Sequence, residues 1–180
     1  MQALKTVLPA LTKVLGTSVH QAYERQRALT NAGLLKARPG RGPGSGVPAT
    51  PKNLAQLLVA LLVGDLRESS IERIKAVSGA RAAAGICPFT QTHRFVDALS
   101  AIIENGKAKM DHWPLRISVS RDKPHAAVIW PINGDFPVDY TPTGKYVDIP
   151  ESRLRLEATI GGGTLWEIHK LLFDVNGELL

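Results

Sequence analysis

The sequence predicts an α+β fold, helical up to about residue 105 and built on an antiparallel sheet after that. Two changes of period carry this reading. Apolar residues recur at helical spacing from Ala3 to Ile103, then alternate strictly with polar ones over Leu115–Val119 and again over Leu154–Ile160. A third observation is the Gly161-Gly162-Gly163 turn, which leads from the last alternating run into a closing helix, Thr164–Phe173. At 180 residues, 44% hydrophobic and 21% charged, the chain is long enough and apolar enough to bury a substantial core.

Gln2–Leu8 reads as a short helical segment and Pro9–Leu15 as a second helix. Proline suits a first helical turn, where its missing N–H leaves no bond unmade. Gly16 is the expected stop, and Thr17 or Ser18 the cap of a third helix, Ser18 to about Asn31. On a 3.6-residue wheel, Val19, Ala22, Gln26 and Leu29 form its inner face, with Tyr23 at the edge. His20, Gln21, Glu24, Arg27, Ala28 and Asn31 form its outer face, with Arg25 on the flank. Short hydrogen-bonding side chains on one helical face suit a major groove, and those nearest the helix N-terminus reach base edges. Ser18, His20, Gln21 and Arg25 are therefore candidate base contacts, Thr17 before them a candidate DNA-binding residue, and Arg27 a phosphate contact.

Ala32-Gly33 ends this helix, and Leu34-Leu35 returns to the core. A basic Gly/Pro hairpin follows, from Lys36 to Val47, with Lys36, Arg38 and Arg41 as its cations. Its glycine-rich tip lets backbone approach a phosphate chain or a minor groove closely. Charge is concentrated in this quarter of the chain. Residues 1–48 hold seven Lys/Arg and one acid, a net of +6, which is the net charge of the whole protein. The remaining fifteen cations and fifteen acids cancel. A sequence pI near 9.7 favours an anionic partner.

Residues 8 to about 64 resemble winged helix DNA-binding proteins of bacteria and their phages. The resemblance rests on the Gly16-Thr17-Ser18 turn, the Ala22/Leu29 face, Ala32-Gly33-Leu34-Leu35, the wing Arg38–Gly46, and Thr50–Ala55 leading to Leu57-Leu58. It covers about a third of the chain. It implies an N-terminal winged helix-turn-helix in residues 1–64; the residues themselves predict helices and a small antiparallel sheet with a C-terminal helix in residues 65–180. It further implies double-stranded DNA as partner, transcriptional regulation as the role, and a homodimer on an inverted repeat.

Thr50 caps and Pro51 opens a helix to about Val63, apolar nearly all round and so expected to be a central strut. A helix starts at Ser69 or Ser70, where Ser69 and Glu72 have the spacing of a capping box. Another runs from Thr90 or Thr92 to about Asn105, with Phe95, Val96, Leu99, Ile102 and Ile103 inward. Strands are expected at Leu115–Val119, His125–Trp130 and Leu154–Ile160, with shorter extended pieces at Val138–Tyr140 and Tyr146–Ile149. Pro124, Pro131, Pro137, Pro142 and Pro150 punctuate the region between the outer strands. The sheet should carry its helices on one face.

Several function classes recede. The single cysteine, Cys87, precludes an internal disulfide and reads as a small buried hydrophobe. The longest apolar run, Leu54–Val63, is too short to span a bilayer, and no leader opens the chain, so a soluble cytoplasmic protein with no membrane partner is expected. The five histidines lack metal-ligand spacing, so neither metal nor cofactor is expected. Gly161-Gly162-Gly163 lacks the lysine and spacing of a phosphate loop and reads as a tight turn. Asp135, Asp139 and Asp148 in the Pro-rich region are the only candidate acids for an enzyme, and Trp113, Trp130 and Trp166 read as packing. The expectation carried forward is a non-enzymatic, sequence-specific DNA-binding regulator. Residues 65–180 would dimerise or receive a small-molecule or protein effector. The alternative is an adaptor whose basic arm meets an acidic partner.

Overall fold

The computed structural model describes residues 2–40, 45–64, 68–106, 113–120, 127–131, 136–143, 157–173 and 178–179. Helix α1 spans Leu4–Leu15 without a break, so the two helical segments expected on either side of Pro9 are one. The reason is energetic. Leu4, Val7, Leu8 and Leu11 are buried along one face, each contributing roughly 1.5–3 kcal/mol, against about 3 kcal/mol for an interior proline. Pro9 also sits on the exposed side. Ahead of α1, Ala3 bridges Pro48, and Leu4 N–H donates to the Val47 carbonyl at 2.6 Å, tying the N-terminus to the strand that leaves the hairpin.

Helix α2 spans Val19–Asn31 and α3 Pro51–Val63. Both start as expected: Ser18 Oγ accepts from Gln21 N–H at 3.1 Å, and Thr50 Oγ1 from Asn53 N–H at 3.2 Å. α3 is the strut. Leu54, Leu57, Leu58, Val59 and Ala60 are fully or almost fully buried, and the helix packs on α2 and on α4, α5, β2 and β5 defined below. Its one buried polar side chain, Gln56, donates from Nε2 to Ser78 Oγ at 2.9 Å.

Helix α4 spans Glu68–Gly79, and strand β1 follows at Arg81–Ala82. Helix α5 spans Phe95–Asn105, starting later than Thr90 or Thr92. The shift has a cause: the Phe95 N–H donates to the Ala80 carbonyl at 2.9 Å and Ala82 N–H to the His93 carbonyl at 3.0 Å, so residues 80–94 fold as a paired loop. Strands β2 (Pro114–Ser120), β3 (Ala127–Pro131), β4 (Val138–Thr141) and β5 (Glu157–Gly161) precede helix α6, Gly162–Leu172. The expected extended piece at Tyr146–Ile149 lies outside the described residues.

The five strands form one antiparallel sheet in the order β1-β4-β3-β2-β5. Ile117 pairs with Ile129 and Ile160, and Val119 with Ala127 and Ala158, so one face is continuously apolar. That face meets the helices: α3 and α6 lie on β2 and β5, and Phe95 of α5 packs on Tyr140 of β4 at 5.3 Å. The chain is thus a mixed α+β structure of helices against an antiparallel sheet. A single apolar cluster runs from Leu4 of α1 to Leu172 of α6, crossing the boundary expected after residue 64. Among the described residues, no helix is long and apolar enough to cross a membrane.

Candidate nucleic-acid interface

The turn between α1 and α2 is three residues long. Gly16 takes the left-handed conformation, φ 64° and ψ 30°, and its N–H returns to the Thr12 carbonyl, which closes α1 and reverses the chain. Ser18 is extended and caps α2. Thr17 Oγ1 donates to Gln21 Oε1 at 2.7 Å, so side chains as well as backbone fix the angle at which α2 leaves the turn.

The seating of α2 differs from the wheel drawn on the sequence. Ala22, Arg25 and Leu29 are its buried residues, whereas Val19 is 46% and Tyr23 48% exposed. Arg25, expected at a base edge, is only 5% exposed and engaged in contacts inside the fold. It is therefore a packing residue, and its candidacy as a base contact is withdrawn. The physical reason is that Ala22 and Leu29 anchor the helix against α1 and α3, and Arg25 lies between them on the same side. Its long aliphatic stem can line an apolar seat.

The other candidates separate into two groups. Thr17 and Gln21 line a cavity of about 370 Å³ together with Leu58 and Leu61 of α3, Thr159 of β5 and Thr164 of α6. They face the sheet half of the molecule. Ser18 remains exposed, but its oxygen is committed to the cap. His20 and Arg27 are exposed, and with Val19, Tyr23 and Asn31 they form the open face of α2. Val19 and Tyr23 are the additions that sequence reasoning missed. They are two of the five exposed large hydrophobics among the described residues, one helical turn apart.

Beyond α2, Gly33 (φ 71°) and the Leu34 N–H bond to the Leu29 carbonyl at 2.9 Å bring the chain back to the core, where Leu35 is 2% exposed. The hairpin then opens. Arg38 and Gly46 exchange both backbone hydrogen bonds, at 2.9 and 3.1 Å, so the loop between them is closed at its base. Lys36 and Arg38 are exposed, and Arg41 lies outside the described residues. Val47 and Ala49 beyond it are buried, so the hairpin is fixed to the core at both ends.

The features weighed as possible chemistry resolve as follows. Among the described residues, no three His, Cys, Asp or Glu side chains gather as a metal site would require. Asp139 is the one candidate acid within the described residues, and burial raises its carboxyl above the ordinary value. Asp135 and Asp148 lie outside them. Cys87 is fully buried, near the Tyr140 phenol, which burial and then the thiol push above its ordinary value. His169 is buried, its Nδ1 2.8 Å from the Ile103 carbonyl and its ring stacked between Trp166 and Phe173. Trp113 meets Trp166 edge-on and donates from Nε1 to the Gly162 carbonyl at 3.1 Å. These rings are packing that locks α6 to α5 and β2.

No protein family, curated protein or solved structure matches the chain.

Proposed function

We propose that the protein is a sequence-specific double-stranded DNA-binding regulator, and that residues 1–64 act as a winged helix-turn-helix. The observation that carries this reading is the pairing of an outward α2 face with a closed basic hairpin. Val19, His20, Tyr23, Arg27 and Asn31 stand clear of the fold directly after the Gly16-Thr17-Ser18 turn, and the hairpin based on Arg38 and Gly46 follows α2. Placing the chain's whole excess of positive charge in residues 1–48 gives such an element its attraction for a polyanion. In this reading His20, Val19 and Tyr23 meet base edges, Arg27 meets phosphate, and Lys36, Arg38 and Arg41 of the wing hold backbone or minor groove.

The same reading gives the sheet half two tasks, pairing two copies of the chain on an inverted repeat and receiving an effector. The cavity beside Thr17 and Gln21 supports the second task, because anything that fills it touches the turn from which α2 projects. The deciding experiment is selection of bound sequences from a random duplex pool at physiological salt. A recovered consensus supports the reading. Recovery of unselected DNA reduces the interaction to charge attraction, and no recovery refutes it.

A further inference from the structure

A second basic feature lies at the edge of the sheet remote from β5. Arg81 of β1 pairs with Thr141 of β4 and, on its other side, forms an antiparallel bridge with Arg94. Residues opposed in this way project from the same side of the backbone, with Cβ atoms roughly 5 Å apart, and like charges so placed repel. Among the described residues neither guanidinium is in an ion pair, so apart from solvent screening the two charges stand uncompensated. The two arginines line an open cavity of about 470 Å³ with Ala82, Gly85, His93 and Thr143. None of these lining residues is acidic.

The frame around the cavity is set by backbone bonds rather than by the arginines. Ala82 N–H donates to the His93 carbonyl at 3.0 Å, and Gly85 N–H to the Ala82 carbonyl at 2.9 Å. Gly85 turns at φ 86°, and His93 Nδ1 lies 2.7 Å from the Gly85 carbonyl, which orients the imidazole. Two planar forks and an imidazole around one open space match the oxygens of a tetrahedral anion, because guanidinium binds phosphoryl oxygens bidentately.

We propose that Arg81, His93 and Arg94 form a binding site for a phosphoryl group. It is separate from the α2 face. β1 and β5 are opposite edges of the sheet, four strand spacings or about 19 Å apart, and β5 is the strand that borders the α2 turn. The phosphoryl group belongs either to a small phosphate ester or to the backbone of a nucleic acid that extends past the α2 face.

The test is a titration of the full-length protein with inorganic phosphate, at ionic strength held constant with chloride, followed by amide NMR. Shifts centred on Ala82, Gly85 and Arg94 are expected. Affinity should fall on the order of ten-fold for each of Arg81→Gln and Arg94→Gln. Should either variant fail to fold, Arg94→Lys serves instead, since it keeps the charge and loses the fork. Equal shifts with chloride alone, or phosphate affinity undiminished in the variants, overturn the proposal. Duplex binding by the variants then separates the sources: weakened duplex affinity indicates backbone phosphate, and unchanged affinity indicates a small ester. Neither outcome depends on α2 reading bases, so this site and the DNA reading can fail independently.

Discussion

Arg25 and Arg27 stand two residues apart on α2 and should behave as opposites. Arg25 is 5% exposed and seated between Ala22 and Leu29, while Arg27 is exposed. Arg25→Ala removes the packed stem together with the interaction its side chain makes. Large-to-small truncation and a broken buried contact together make about 2–4 kcal/mol the expected loss. For a chain of this size, each kcal/mol shifts Tm by roughly 2–4 °C, so Tm should fall by roughly 4–16 °C. Arg27→Ala, on the surface, should change stability by no more than about 0.5 kcal/mol. Under the proposed DNA reading its effect falls on binding: one lost phosphate contact should lower the slope of log K against log salt by about 0.9 and weaken all duplexes evenly. Thermal melts and fluorescence anisotropy at several salt concentrations read both quantities. An Arg25→Ala protein that melts with its parent would refute the seating of α2. An Arg27→Ala protein with an unchanged salt slope would falsify the phosphate role.

Four further outcomes are expected. Val19 at the first turn of α2 suits the C5-methyl of thymine, so replacing thymine by deoxyuridine at one position of a selected site should weaken the parent several-fold and leave Val19→Ala indifferent. Equal losses in both proteins rule that contact out. Gln56→Ala orphans the buried Ser78 hydroxyl and should lower stability in urea by about 1–3 kcal/mol, whereas Gln56→Leu with Ser78→Ala should recover most of it. Gly106→Ala places a methyl 2.7 Å from the His169 ring at φ 62°, and should lower Tm through both clash and strain, roughly 1–3 kcal/mol for the backbone alone. Asp139 has its carboxyl raised by burial, so the folded state holds its proton longer than the unfolded chain. Stability therefore falls as pH rises from the ordinary carboxylate value of 3.8 through the raised one, then levels off. Asp139→Asn should remove that fall, and parallel pH–stability curves for the two proteins would contradict it.

What could be read in the sequence were the features with local causes. Ser18 and Thr50 cap their helices because a side-chain oxygen satisfies a nearby N–H, and that chemistry is visible within four residues. The alternation of β5 likewise follows from one buried face, whereas in β2 Ser118 and Ser120 are buried along with Ile117 and Val119. Rotation of α2 was not readable. Only Ala22 and Leu29 anchor it, Arg25 and Gln26 flank that line almost equally, and three-dimensional packing chose the arginine. β1 was invisible because two residues carry no period, and its partner Thr141 lies far along the chain. The Arg81/Arg94 opposition was hidden for the same reason, since the bridge exists only once residues 80–94 fold back.

The seating of α2 also bears on how the two halves communicate. α1 packs on α6 and α3 packs on β2 and β5, so the helix pair is not a free module on a tether but part of the wall of one core. A gap in that wall is the cavity lined by Thr17 and Gln21 on one side and Thr159 and Thr164 on the other. Thr17 and Gln21 are hydrogen-bonded to each other and set the exit of α2 from its turn. Under the proposed reading, a molecule filling this cavity would touch β5, the start of α6 and the first turn of α2 together, and the first turn is where a recognition helix concentrates its base contacts. Coupling needs differential contact with two arrangements of that turn, and the hydrogen-bonding side chains around the cavity offer such contact. On this geometry, regulation would act on the angle of α2 and leave its exposed face chemically unchanged.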